Sequence, residues 1–354
     1  MALGVAASEY LRGPHSIAFD ITNRCNLRCL HCFNSSGENA IVAEELSDCE
    51  VMSFIHNLVE MQIFSLCFCG GETLLRAPLM TRALKELTTA GVKCNIVSNG
   101  LLASRALIDD LVEAGLSGIQ FSLDGTEKSH DLMRGKKGAF KRTIDVLSYV
   151  LGETSLNISI AFTPTSFNVR DFRQLYFELV SLQNELRDDR GAASSIDLRV
   201  QPLMLLGRAR ANSWIEPNVV QYRELVEEID AVDADAGGAS GVNITWGDPV
   251  DHIIRFANSD YCMDQINIHA NGDIVPSAYL PLVVGNIRRH TLLEYWDAGL
   301  GEVWQKNVVR YMAQQLRSVR DMESLSSKYT NINMGNDFFI DLIDGNLDDL
   351  SLIR

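Results

Sequence analysis

The chain has 354 residues, 46% of them hydrophobic and 22% charged, a balance that supports one large or two ordinary folded domains rather than a disordered chain. Its formal net charge of −15 argues against a general nucleic-acid binder, because phosphate contacts need clustered lysine and arginine. No apolar run approaches the roughly 20 residues that cross a bilayer, and the start MALGVAASEYLRGPH lacks the basic residues and long apolar stretch of a secretory signal, so no membrane partner and a cytoplasmic location are expected.

In chain order, the hydrophobic pattern alternates short strand-like runs with helical stretches. Strands are predicted at 16–21 (SIAFDI), 64–69 (FSLCFC), 93–98 (KCNIVS), 118–123 (GIQFSL), 156–162 (LNISIAF) and 196–203 (IDLRVQPL). Helices are predicted near 44–61, 78–90, 103–114, 139–151 and 169–187. Ser47 and Glu50 have capping-box spacing at the start of the first helix. Six strand–helix units in series imply a parallel sheet with right-handed crossovers. Chemistry-bearing residues gather after several strands, which favours an α/β fold of the partial (β/α)6 TIM-barrel type over a flat sheet.

The stretch AVDADAGGASG (231–241) reads as a linker, so the barrel domain is expected over 1–230. INIHANGDIVPSAY is two alternating runs about Asn271-Gly272, a hairpin signal. TLLEYW reads as a short helix and GEVWQKNVVRYMAQQL as one longer amphipathic helix. Together these give a small α+β domain over 242–320. The acidic tail over 321–354 is left open between docking on the body and projecting from it.

Of eight cysteines, Cys25, Cys29 and Cys32 lie within RCNLRCLHCF, directly after the first strand. The eight are not spread as a disulfide framework, and a reducing compartment keeps them as thiols. A four-iron cluster ordinarily takes four cysteines. Three nearby thiolates would hold three irons and leave one open, the logic of a catalytic rather than a structural site. A zinc site completed by a distant ligand is the alternative.

This C-x3-C-x2-C arrangement, with His31 before the last cysteine, resembles the radical S-adenosylmethionine (SAM) superfamily. The resemblance implies one [4Fe–4S] cluster on Cys25, Cys29 and Cys32, with SAM chelating the fourth iron. Reductive cleavage of SAM would then give a 5′-deoxyadenosyl radical that abstracts hydrogen. After the second strand, Gly70, Gly71 and Glu72 match the motif that receives the SAM amine, with Thr73 where proline is usual. By the same resemblance Ser98, Asn99, Ser122 and Asp124 lie along the ribose and methionyl side of SAM. Taken singly, the same residues read as ordinary turn and cap residues.

HDLMRGKKGAF (130–140) resembles the branch that carries SPASM or Twitch extensions, which makes Arg134 the partner of the SAM carboxylate, and QPLMLLGRA (201–209) places Leu203 beside adenine. In that branch C-x(9–15)-G-x4-C supplies auxiliary-cluster ligands. Here Cys262 and Gly272 are followed by Ser277, and no cysteine comes after Cys262. A hydroxyl is a poor ligand for such clusters, so the C-terminal extension is read as a degenerate, cluster-less Twitch-like domain.

Without an auxiliary cluster, redox-neutral outcomes such as epimerisation or fragmentation are the easier ones to account for. Cys67, Cys69, Cys94 and Cys262 are candidate hydrogen donors, against the plain reading of cysteine as a small buried apolar residue. Cys49 is expected to pack within a helix. The resemblance also implies a ribosomally made precursor peptide as substrate and a flavodoxin or ferredoxin as reductant. About fifteen residues precede the first strand, too few for a leader-recognition domain, so that role is expected to fall to a separate protein or to the C-terminal half. A small-molecule substrate such as an amino sugar, or a non-catalytic metal-binding role, are the rival readings.

Overall fold

The computed structural model describes residues 12–37, 44–186, 195–236, 241–258, 265–329 and 338–353. Cys262, residues 237–240 of the expected linker and residues 330–337 of the expected tail lie outside the described residues. In chain order, β1 is Ser16–Thr22, α1 Asp48–Met61, β2 Ser65–Gly70, α2 Ala77–Thr89, β3 Lys93–Ser98, α3 Arg105–Glu113, β4 Gly118–Ser122, α4 Glu127–Arg134, α5 Ala139–Glu153, β5 Asn157–Phe162, α6 Phe172–Leu186 and β6 Ile196–Val200. There follow α7 Gly207–Ala211, α8 Val219–Ala236, β7 Val242–Trp246, α9 Pro249–Ala257, β8 Gln265–Ile268, β9 Asp273–Val275, β10 Leu282–Val283, β11 Gly285–Asn286, α10 Leu292–Asp297, α11 Asn307–Ala313, α12 Val319–Tyr329 and β12 Phe338–Phe339.

Two compact units result. The first comprises Met1–Arg24, Ser36–Cys94 and Pro249–Arg354; the second comprises Cys25–Ser35 and Asn95–Asp248. In the first unit β1 pairs in parallel with β2 on one side and with β8 on the other. β9 pairs antiparallel with β8 and with β11. The strands alternate: Ile17, Phe19, Leu66 and Phe68 are fully buried, while Ala18, Asp20, Cys67 and Cys69 lie half-buried on the opposite face. Phe54 of α1 meets Phe19 edge-on with centroids 5.2 Å apart, so α1 covers the buried face. Ser47 caps α1, and its capping box with Glu50 is complete in both directions.

The second unit is built the same way. β3 to β7 pair in parallel in sequence order, with Ile119, Phe121, Ile158, Ile160, Ile196 and Leu198 essentially buried. Phe172 of α6 packs on Phe162 of β5 with centroids 5.6 Å apart.

Three sequence expectations change. β7, whose residues 242–246 were expected to open the second domain, pairs in parallel with β6, Ile196 opposite Val242. Residues 231–236 of the expected linker are the last turns of α8, held down by fully buried Val232. The helix expected over 301–316 is a 3₁₀ turn, Leu300–Gln305, followed by α11, with Lys306 extended at φ −65° and ψ 138°. The break has a tertiary cause. The Asp348 carboxylate accepts the Asn307 N–H at 3.1 Å, and the Leu347 carbonyl accepts that of Val308 at 2.9 Å, satisfying a helix start from outside.

The hairpin forms as expected, with Gly272 at φ +90° in its turn. The C-terminal segment docks: β12 pairs with β10, and Ile340, Leu347 and Ile353 are buried. The Tyr295 hydroxyl, fully buried, donates to Asp341 at 2.8 Å and accepts from the Asn286 N–H at 3.0 Å. Tyr295→Phe strips both partners and is expected to cost about 1–3 kcal/mol. A denaturant midpoint equal to wild type would show that this contact does not hold the segment.

Candidate active site

In the second unit the three-cysteine loop has no regular structure, so its shape rests on contacts that fix its backbone. The Leu30 N–H donates to the Met133 carbonyl at the end of α4, 2.9 Å, and the Arg208 N–H to the Cys32 carbonyl, 2.9 Å. Arg208 Nε donates to the Cys29 carbonyl at 3.1 Å, and Asn99 Nδ2 to Asn26 Oδ1 at 2.8 Å. Gly207 sits at φ +55°, where any Cβ would run into the Phe33 carbonyl. Leu30 also packs with Phe167 against the buried cluster of Leu203, Leu205, Ala209 and Ile215. The Tyr222 hydroxyl accepts the Leu203 N–H at 3.3 Å.

Cys25, Cys29 and Cys32 are thiols outside any disulfide, Cys29 buried and the outer two half-buried. The Leu27 N–H donates to Cys25 Sγ at 3.4 Å. Arg134 Nη1 lies 3.7 Å from Cys29 Sγ, and its Nη2 pairs with Asp124 Oδ2 at 2.6 Å. Burial pushes the Cys29 thiol up, against the pull of the guanidinium. Asp124 is fully buried, yet although burial opposes its charge, Arg134, followed by His31 and His130, holds its carboxyl below the usual range. Asp124 Oδ1 accepts the Thr163 N–H at 3.1 Å, and the Asp124 N–H donates to His130 Nδ1 at 3.1 Å. Burial first, and then Arg134, brings His130 down to about 4, so its imidazole is neutral and able to accept. Two buried atoms here, Arg134 Nε and His31 Nδ1, have no hydrogen-bond partner among the described residues. Such orphans mark a place for a ligand atom.

In the first unit the chain turns at the end of β2. Gly70 has φ +132°, and a Cβ there would meet the Thr22 carbonyl. One at Gly71 would meet the Arg24 carbonyl. The Gly71 and Glu72 N–H groups donate to Thr22 and Arg24 carbonyls at 2.8 and 2.9 Å. Both glycines are therefore required by the close approach of two backbones. Glu72 is buried and accepts the Leu74 N–H through Oε1 at 3.1 Å. Along β2, Cys69 Sγ lies 3.6 Å from Cys67 Sγ. Cys69 stands opposite Asp20 in the register, and His269 Nδ1 is 3.2 Å from Asp20 Oδ2. The hydrogen bond with Cys67, and then burial, pushes the Cys69 thiol up.

The remaining expected residues divide by environment. The Ser98 hydroxyl accepts the Gly100 N–H at 3.1 Å and shapes the turn after β3, as Asn99 Oδ1 does with the Leu101 N–H at 3.1 Å. Ser122 ends β4, half-buried, paired with Ala161. Cys94 is fully buried on the core face with Ile96, and burial pushes its thiol up to about 12. Cys49, expected to pack, is exposed on the first turn of α1. Ser277 is buried, its Oγ accepting the Tyr279 N–H at 3.2 Å. Sequence reasoning missed Asp20, His269 and Arg208. Only Asp20 carried a signal, a charge set on an apolar strand.

The residues of the second unit fit an iron–sulfur cluster and SAM: three thiols on one pinned loop, beside an orphaned guanidinium nitrogen. Asp124→Asn would leave Arg134 buried without its counter-charge, an expected loss of about 3–5 kcal/mol. Replacing both partners by apolar residues should recover part of it, read from denaturant midpoints. A single variant as stable as wild type would show that the pair is not structural.

Residues 19–175 match the profile of the radical SAM superfamily. The chain is 25% identical over 336 residues to an AdoMet-dependent heme synthase of Methanosarcina barkeri, covering 89% of this chain and 87% of that protein. It is 30% identical over 159 residues to the sporulation killing factor maturation protein SkfB of Bacillus subtilis, covering 44% of this chain and 37% of that one. In structure it resembles Streptococcus suis SuiB bound to the precursor peptide SuiA, with TM-score 0.62 and 16% identity over 94% of this chain and 76% of that one. That likeness shows the α/β fold with a parallel sheet in an open, partial barrel. The chain carries a radical SAM domain over residues 19–175 and is a radical SAM enzyme, of the kind whose cofactors are a [4Fe–4S] cluster and S-adenosylmethionine.

Proposed function

We propose that this enzyme cleaves SAM reductively at a single [4Fe–4S] cluster on Cys25, Cys29 and Cys32 and removes a hydrogen atom from a ribosomally synthesised precursor peptide. The observation that carries the reading is the pinned loop of three thiols beside the buried Arg134–Asp124 pair. When bound, the cluster and SAM supply an electron and a 5′-deoxyadenosyl radical.

The chain's own residues bind and orient. Gly70 and Gly71 let the backbone lie against the ligand, and Glu72, whose Oε1 accepts the Leu74 N–H, is the carboxylate that takes the SAM ammonium. Arg134 offers Nε to the SAM carboxylate, a match for a guanidinium edge. Asp124 acts through Arg134 by fixing its plane. Asn99, Ser98 and Ser122 border the ribose side and Leu203 the adenine. Cys67 and Cys69, on the half-buried face of β2 with Asp20, are the thiols placed to return a hydrogen atom, whereas Cys94 is turned into the core. With Ser277 in the position of a cluster ligand, the C-terminal segment acts as a Twitch-like extension without a cluster.

The peptide reading draws support from the likeness to SkfB and to SuiB with SuiA. A second reading, a small molecule such as a tetrapyrrole, draws support from the heme synthase, whose match runs over nearly the whole chain. Anaerobic reconstitution should give about four irons per chain and 5′-deoxyadenosine under strong reductant, and Cys29→Ala should lose both. About eight irons would overturn the single-cluster assignment, and no SAM cleavage would overturn the activity. A synthetic precursor peptide should speed 5′-deoxyadenosine formation, whereas acceleration by a coproporphyrin instead would give the assignment to the second reading.

A further inference from the structure

We infer that Glu45 and Arg288 are positioning residues for SAM. Arg288, in the turn after β11, clamps the segment 44–47, and the Glu45 carboxylate on that segment holds the backbone that seats the Gly70–Gly71–Glu72 turn. The inference rests on the reading that Glu72 takes the SAM ammonium. It gives the C-terminal half a part in SAM binding that needs no cluster of its own. Every residue involved belongs to the first unit.

The turn hangs on two carbonyls, those of Thr22 and Arg24, which accept the Gly71 and Glu72 N–H groups at 2.8 and 2.9 Å. They lie at and just beyond the end of β1, where the register with β2 shifts between Asp20 and Thr22, so the ladder alone does not fix them. Glu45 does. Its carboxylate accepts the Thr22 hydroxyl, at 3.1 Å through Oε1 and 3.0 Å through Oε2, and the Asn23 N–H through Oε1 at 2.5 Å. Oε2 also lies 3.6 Å from Arg24 Nε. Thr22 Oγ1 in turn accepts the Arg24 N–H at 3.1 Å. One side chain, only 10% exposed, thus sets three consecutive residues, and an ionised acceptor makes the stronger hydrogen bonds.

Glu45 lies outside any helix or strand, so other contacts must hold its backbone in place. Arg288 provides them. Its Nη1 donates to the Glu44 and Asn271 carbonyls at 3.0 and 3.2 Å, and its Nη2 to the Glu45 carbonyl at 3.1 Å. Nε and Nη2 also meet Glu50 Oε1 and Oε2 at 2.6 and 3.3 Å. Only a guanidinium fork serves carbonyls and a carboxylate together in this way. Alongside it, the Leu46 N–H donates to the Ala270 carbonyl at 2.8 Å. Buried Arg76 ties the Leu46 carbonyl, at 3.1 Å, to that of Ile21, at 2.8 Å. The contacts therefore run without a gap from the turn after β11 to the Glu72 amide. Arg289, next in sequence, serves a different purpose, pairing with Asp341 and Asp344 of the C-terminal segment.

The test uses cluster-loaded enzyme carrying Glu45→Gln, Arg288→Ala or both together, with Arg289→Ala as a control that removes the same charge one residue away. SAM is titrated in dithionite-driven cleavage, read as 5′-deoxyadenosine, and amide hydrogen exchange of Gly71 and Glu72 is followed without SAM. Each single variant should raise the SAM KM about tenfold with kcat near wild type. The double variant should lose no more than the worse single one, as two links of one chain do. Exchange at Gly71 and Glu72 should quicken in all three, and Arg289→Ala should match wild type in both measurements. A wild-type KM or unchanged exchange in either single variant would overturn the inference. So would a double-variant loss equal to the product of the single losses, or an equal loss in Arg289→Ala. A Glu72→Gln enzyme with a wild-type SAM KM would instead overturn the reading that Glu72 takes the ammonium, with the exchange data still deciding the clamp.

Discussion

Arg134 and Asp124 form a buried ion pair, 2.6 Å apart, the carboxylate fully sealed from solvent. Desolvating two charges costs several kcal/mol each, and attraction offsets this only when the geometry is good and the remaining donors and acceptors are used. That requirement ties four elements together. Asp124 follows β4 and takes the Thr163 N–H from the end of β5. Arg134 closes α4 just before Gly135, whose φ of +66° ends the helix. The same guanidinium reaches Cys29 Sγ. A loop with no regular structure thus gains a fixed position for its central thiol, because neither charge can be left alone.

The other face of the design is steric. Two backbones cross where β2 ends, so close that neither Gly70 nor Gly71 has room for a methyl group. The Thr22 and Arg24 carbonyls are consumed by that crossing, leaving Glu72 to present a carboxylate at the start of a 3₁₀ turn. Charge sets the loop in one unit and contact sets the turn in the other.

The strands were legible because each alternates buried apolar residues with smaller or polar ones, as in SIAFDI, and α1 because Ser47 and Glu50 cap it. β7 was not, because most of VNITW is exposed and its apolar signal is weak. The last turns of α8 were mistaken for a linker because alanine and aspartate dominate there, and a single buried valine anchors them. The break before α11 was invisible locally, since its cap, Asp348, is 41 residues away. Site motifs with fixed spacing, the cysteine loop and Gly-Gly-Glu, could be read directly. Pairs made only by folding could not: Asp20 and His269 are 249 residues apart, and nothing in either neighbourhood announces the other. Ser277 is buried, and its hydroxyl accepts the Tyr279 amide within its own turn, a local contact that the spacing did not announce.

The central claim is that three thiolates hold a cluster with one iron open to SAM. Electron paramagnetic resonance of the dithionite-reduced enzyme, recorded before and after SAM, tests it most directly. The account predicts a reduced [4Fe–4S] signal whose g-values shift when SAM is added, and whose lines broaden when the SAM carboxylate carries ¹⁷O. A signal indifferent to SAM, or a metal content of zinc with no such signal, would contradict it.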